Sequence, residues 1–109
     1  MARASERHAD SSDFASNFAS AATALELAVR DLLKSGWNEP ERRHAHEIAH
    51  ALMEGAKVAC WKETGGVLQA LTSLLALPLD EVLSISEALR TRLLELLALL
   101  RDMPASESA

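Results

Sequence analysis

Apolar residues recur at steps of three and four along almost the whole of this chain, and that period constrains its fold more than any other feature. Phe14, Phe18, Ala21, Leu25, Val29 and Leu32 form one series, and Val82, Ile85, Leu89, Leu93, Leu96 and Leu100 form another. Side chains so spaced line one face of a helix, whereas a half-buried strand needs strict alternation. There is no Tyr, β-branched residues are few, and no segment alternates for long. At 109 residues, 49% of them apolar, the chain has the material for one core.

The spacing predicts an all-α fold, an antiparallel up-and-down bundle of four main helices. The first starts after the capping candidates Ser11 or Ser12 and stops at Gly36. Asn38 as N-cap, Pro40 in the first turn and Glu41 as the far half of a capping box open the second near Glu39, and it runs to about Lys62. Its stripe of Ala45, Ile48, Ala49, Leu52, Ala56, Ala59 and Cys60 is small enough for a neighbouring helix to approach closely. Gly65 and Gly66 read as a break before a third helix bearing Val67, Leu68, Leu71, Leu74 and Leu75, which Pro78 ends. The fourth opens with Asp80 and Glu81 at the positive end of its dipole, and Ser84 with Glu87 offers a second box and a short turn before a longer helix. This bundle domain occupies 12–103, between polar segments 1–11 and 104–109 expected to be flexible. The run Leu93 to Leu100 is apolar around more than half its circumference, which suits the centre of the bundle or a homodimer face.

Charge and cysteine usage narrow the function. A net charge of −5, with 11 Lys and Arg scattered among 16 acids, argues against a nucleic-acid partner and against polybasic membrane docking. No apolar run reaches about 18 residues, so no spanning helix is expected. Cys60 is the sole cysteine and the first ten residues are polar, which points to the cytoplasm. Cys60 lies on the apolar stripe and reads as a small buried hydrophobe, Trp37 as a cap on the core, and Trp61 as a binding-surface anchor.

His46, Glu47 and His50 spell H-E-x-x-H, which on a helix sets two imidazoles one turn apart for Zn²⁺ with the glutamate as general base. A catalytic zinc needs a third protein ligand, and the place six beyond His50 is Ala56. Glu54 on the same helix, or Glu63, Glu81 or Glu87 from elsewhere, are the candidates, and spacing specifies none of them. A zinc-dependent hydrolase is therefore the alternative enzyme reading, and a helical interaction or dimerisation module without chemistry is the plainest one.

On the helical wheel His46 lies at the edge of the apolar stripe and His50 outside it, beside Glu54, Lys57 and Trp61. An exposed histidine in mid-helix is reachable by a kinase and by a receiver-domain aspartate. The segments "FASAATALELAVRDLL" and "RRHAHEIAHALMEGAKVACW", with the leucine-rich helices that follow, resemble the histidine phosphotransfer domain, especially the N-terminal phosphoryl-accepting domain of chemotaxis-type histidine kinases. Ala49-His50-Ala51-Leu52 matches the start of that family's A-H-T-L-K-G segment. The family's Lys is Met53 here and its Gly is Glu54, with Gly55 one place late; Lys57 is positioned to replace the cation. The resemblance implies a signalling module, active or degenerate, that docks a histidine kinase and/or a receiver-domain protein. It implies His50 as phosphoryl acceptor, a docking face of His46, Met53, Glu54, Lys57 and Trp61, and no cofactor.

Overall fold

The computed structural model describes residues 2–108, with side chains at 14–83 and 86–104. Among the described residues every regular element is a helix and none is a strand: α1 (Ala2–Lys34), α2 (Glu39–Val58), α3 (Lys62–Leu75) and α4 (Leu79–Ser108). α1 starts ahead of Ser11 and Ser12, so these serines lie within it rather than at its beginning. The segments expected to be flexible, 1–11 and 104–109, fall outside the described side chains apart from Pro104, which lies inside α4. α4 also runs unbroken through position 84, so no separate turn precedes it; the side chains of Ser84 and Ile85 are outside the described ones.

The ends of α1 and α2 close with the same hydrogen-bond pattern. After α1, Gly36 N–H donates to the Leu33 carbonyl and Trp37 N–H to that of Leu32. Gly36 has φ +77° and supplies the left-handed residue this closure needs; Trp37 follows at φ +68°. After α2, Cys60 N–H donates to Lys57 and Trp61 N–H to Ala56, with Cys60 in the left-handed role at φ +64°. α2 thus ends at Val58, short of the expected Lys62. The reversal is complete before Gly65 and Gly66, which lie inside α3 instead of breaking it, and Gly65 N–H donates to the Trp61 carbonyl.

The expected capping box at Asn38 is not made, and its neighbours give the reason. Asn38 stands at the N-cap without a side-chain cap bond. Pro40 removes one of the two N–H groups such a cap could bind. Asn38's own N–H, which Glu41 would have accepted, is donated to Ser35 Oγ at 3.2 Å. Glu41 Oε2 is left buried with no hydrogen-bond partner.

α2 packs against α1 and α3, and α4 against α3 and α1. Leu25, Val29 and Leu32 from α1, Ala45, Ala49 and Ala56 from α2, Leu68, Leu71 and Leu75 from α3, and Leu93 and Leu100 from α4 are fully buried in the core. Each such leucine contributes about 1.5–3 kcal/mol relative to an exposed one. The small side chains of α2 let both neighbours approach it. The leucine run of α4 divides, with Leu93, Leu96, Leu97 and Leu100 buried and Leu94 and Leu99 exposed.

The start of α2 is clamped to the end of α3 by two long side chains. Trp37 is 4% exposed and its Nε1 donates to the Leu77 carbonyl at 2.9 Å, as expected for a residue capping the core. Arg42 Nη1 donates to the Leu75 carbonyl at 2.7 Å while its Nε and Nη2 grip both oxygens of Glu39. Carbonyls at the end of a helix lack intrahelical donors, and Leu75, the last residue of α3, finds one on α2, while Leu77 in the connection to α4 is satisfied by Trp37.

Candidate functional site

The solvent side of α2 carries Glu47, His50, Glu54 and Lys57, while His46 and Met53 are half-buried toward one flank. The alternation follows from the alanine stripe: with Ala45, Ala49 and Ala56 inward, positions 50, 54 and 57 rotate outward. The rings of His46 and His50 stack at 6.3 Å between centroids and 14° between planes. Lys57 Nζ lies 3.3 Å from Glu54 Oε2, so the cation expected to serve His50 faces the acid next to it.

Met53, Lys57 and Trp61 come together on an open groove of about 380 Å³ between α2 and α3, completed mainly by Cys60, Gly65, Gly66 and Gln69. His46, His50 and Glu54 do not line it. A Cβ built on Gly65 or Gly66 would meet nothing within 4 Å, so the missing side chains leave this groove open. The glycine pair was visible in the sequence as punctuation; its effect on a surface depended on which face of α3 it occupied.

Trp61 has a second attachment inside the molecule. Its ring meets Phe14 edge-on at 4.9 Å and 86°, and lies 5.5 Å from Phe18. It is half-buried in this aromatic corner at the start of α3, whereas the wheel of a longer α2 made it a free surface anchor. Cys60 is exposed rather than buried, because α2 has ended and the wheel no longer applies to it. Gly55, the displaced glycine of the phosphotransfer resemblance, faces inward: a Cβ there would stand 2.8 Å from Phe14 Cε1. The space it clears is filled by this chain's own Phe14.

Among the described residues no group of three or more His, Cys, Asp and Glu side chains is arranged to hold a metal ion. Glu54 faces Lys57, and neither Glu63, Glu81 nor Glu87 joins His46 and His50. Among the described residues, the donor set of the H-E-x-x-H motif stops at two imidazoles, short of the three protein ligands of a catalytic zinc. Among the described residues no helix is long and apolar enough to cross a membrane. No protein-family model, curated protein or solved structure matches the chain.

Proposed function

We propose that this chain is a small helical signalling module that docks a histidine kinase and/or a receiver domain over α2 and the adjoining α2–α3 groove, with His50 as phosphoryl acceptor. The observation that carries the reading is His50 itself, exposed in the middle of α2, one turn from the groove residue Met53 and two turns from Lys57. In the transfer step a ring nitrogen of His50 attacks the phosphorus of a receiver aspartyl phosphate. The P–N bond forms as the P–O bond breaks, the carboxylate leaves, and the ring proton passes to water. No resident cofactor enters this step, and the single cysteine fits a cytoplasmic setting.

An antiparallel up-and-down arrangement of the four helices belongs to the same proposal. It is supported by which positions meet: Phe14 of α1 with Gly55 of α2, Trp37 and Arg42 with the end of α3, and Glu26 of α1 with Arg101 of α4.

A docking module without transfer is the second reading, favoured by two observations. Glu54 places a carboxylate one turn from His50, where it repels an incoming phosphoryl group. Phe14 occupies the room that Gly55 would otherwise leave for a partner. Incubation with a labelled phosphorylated receiver or a small phosphodonor separates the two. Acid-labile, alkali-stable label on the wild type that His50→Gln abolishes establishes transfer. Receiver binding without label, weakened by Met53→Ala or Lys57→Glu, leaves docking alone. Absence of both label and binding refutes the proposal.

A further inference from the structure

Four basic residues from two distant stretches of the sequence, Arg30 and Lys34 with Arg90 and Arg101, converge on one face. Three adjoining concavities follow the seam between α1 and α4: one of about 200 Å³ lined by Arg30, Leu33, Lys34, Arg90 and Leu94, and one on each side of it. The neighbour of about 230 Å³ shares Arg30 and Leu94 and ends at Arg101, and that of about 180 Å³ shares Leu33 and Arg90 and ends at Ser86. Together they make a groove reaching from Ser86 to Arg101 on α4, about 22 Å at ~1.5 Å per residue. Its sides carry four cations, and its carboxylates are Glu26, already engaged by Arg30 and Arg101, and Glu87 at one end. The central concavity has no acid in its lining.

We infer that the α1–α4 groove is a docking site for an acidic amphipathic segment of a partner protein, separate from the α2–α3 face and independent of any chemistry at His50. Charge complementarity selects the occupant. In a chain of net charge −5, a basic groove attracts carboxylates, while its floor of Leu33 and Leu94, the latter 38% exposed, accepts apolar side chains. The length matches a helix of about four turns, whose leucines at i, i+3/i+4 and i+7 would face the floor and whose glutamates would reach Lys34 and Arg90. Glu26 holds Arg30 and Arg101 in place, so part of the cationic wall is ordered before anything binds.

The test uses the full chain, isotope-labelled, titrated with a synthetic helical peptide of about 14 residues, sized from the groove by the helical rise, bearing leucines on one face and glutamates elsewhere. Amide shifts should concentrate on Arg30, Leu33, Lys34, Arg90 and Leu94. Affinity should fall about tenfold or more between low and roughly 0.5 M salt, because the exposed cations are screened. The double variant Lys34→Glu, Arg90→Glu should lose binding by a similar factor, with Lys34→Gln, Arg90→Gln as the substitute if charge reversal disturbs the fold. A lysine-for-glutamate version of the peptide should not bind. The inference is overturned if the shifts fall elsewhere or are absent, or if the neutralised variant binds as well as wild type. It is equally overturned if inorganic pyrophosphate displaces the peptide at matched charge, which marks a simple anion site, or if sedimentation shows a second copy of the chain covering the groove.

Discussion

Gly55 and Gly66 show how differently the same residue type can be used within one small chain. At Gly55 an added Cβ would stand 2.8 and 2.9 Å from two ring atoms of Phe14, and that ring is held by Phe18 and Trp61, so it cannot yield freely. Gly55→Ala is expected to lower stability by about 1–2 kcal/mol through overpacking, despite the better helix propensity of alanine. Gly66 has open space around it in the interior of α3, and Gly66→Ala should raise stability by about 0.5–1 kcal/mol. Urea midpoints of the two variants check the opposite signs, and a gain at Gly55 would mean that Phe14 does not press on it. At this scale the sequence was partly readable. The outward positions of His50, Glu54 and Lys57 follow from helical period alone. The inward turn of Gly55 and the aromatic corner under Trp61 required knowing that Phe14 crosses α2, which no local pattern encodes.

The helices were legible where a residue with one strong backbone preference marks the boundary. Gly36 supplies the left-handed residue after α1, and Pro78 stands just before α4, as their chemistry requires. The boundary between α2 and α3 departs from the expected one because a cysteine does there what glycine does after α1. Cys60 takes φ +64° with no feature of its own to announce it, while the glycine pair nearby offered a false stop. The α1–α2 connection depends on Trp37, which is itself left-handed and buried, and whose indole N–H satisfies Leu77. Trp37→Phe removes that donor and leaves the carbonyl unpaired. A loss of about 1–3 kcal/mol is expected, with the lost packing included at the upper end. Amide exchange should then quicken at the junction of α3 and α4 as well as near residue 37, whereas a change confined to residue 37 would show that the clamp carries no load across the helices.

Electrostatic organisation belongs to the whole molecule, since the Glu26–Arg101 pair ties α1 to α4 while other ion pairs join neighbouring turns. Hydrogen bonding to the Arg42 guanidinium is the main cause that holds the Glu39 carboxyl down at about 2, from 4.5, and Arg101 is the main cause that lowers Glu26. A carboxylate whose folded pKa is depressed stabilises the fold above its unfolded pKa and loses that contribution as pH falls through the folded value. Stability should therefore decline from pH 4.5 toward about 2, and Glu39→Gln should flatten part of that decline. Thermal midpoints across this window measure it, and because Glu39 is exposed the gap between variant and wild type should shrink in roughly 0.5 M salt. An unchanged slope in the variant would place the acid sensitivity elsewhere. The basic seam between α1 and α4 has no counterpart in any local sequence pattern. Arg30 and Lys34 share a helix face by spacing, but Arg90 joins them only through packing, and no count of charges along the chain could bring the two helices side by side. The placement of the two indoles also makes the molecule its own optical instrument. Trp37 and Trp61 sit just before and just after α2, about 30 Å of helix apart at ~1.5 Å per residue, one shielded from solvent and the other beside an open groove. Their emission should differ in colour and in access to quenchers, so that a single unlabelled sample can distinguish an event at one end of α2 from an event at the other.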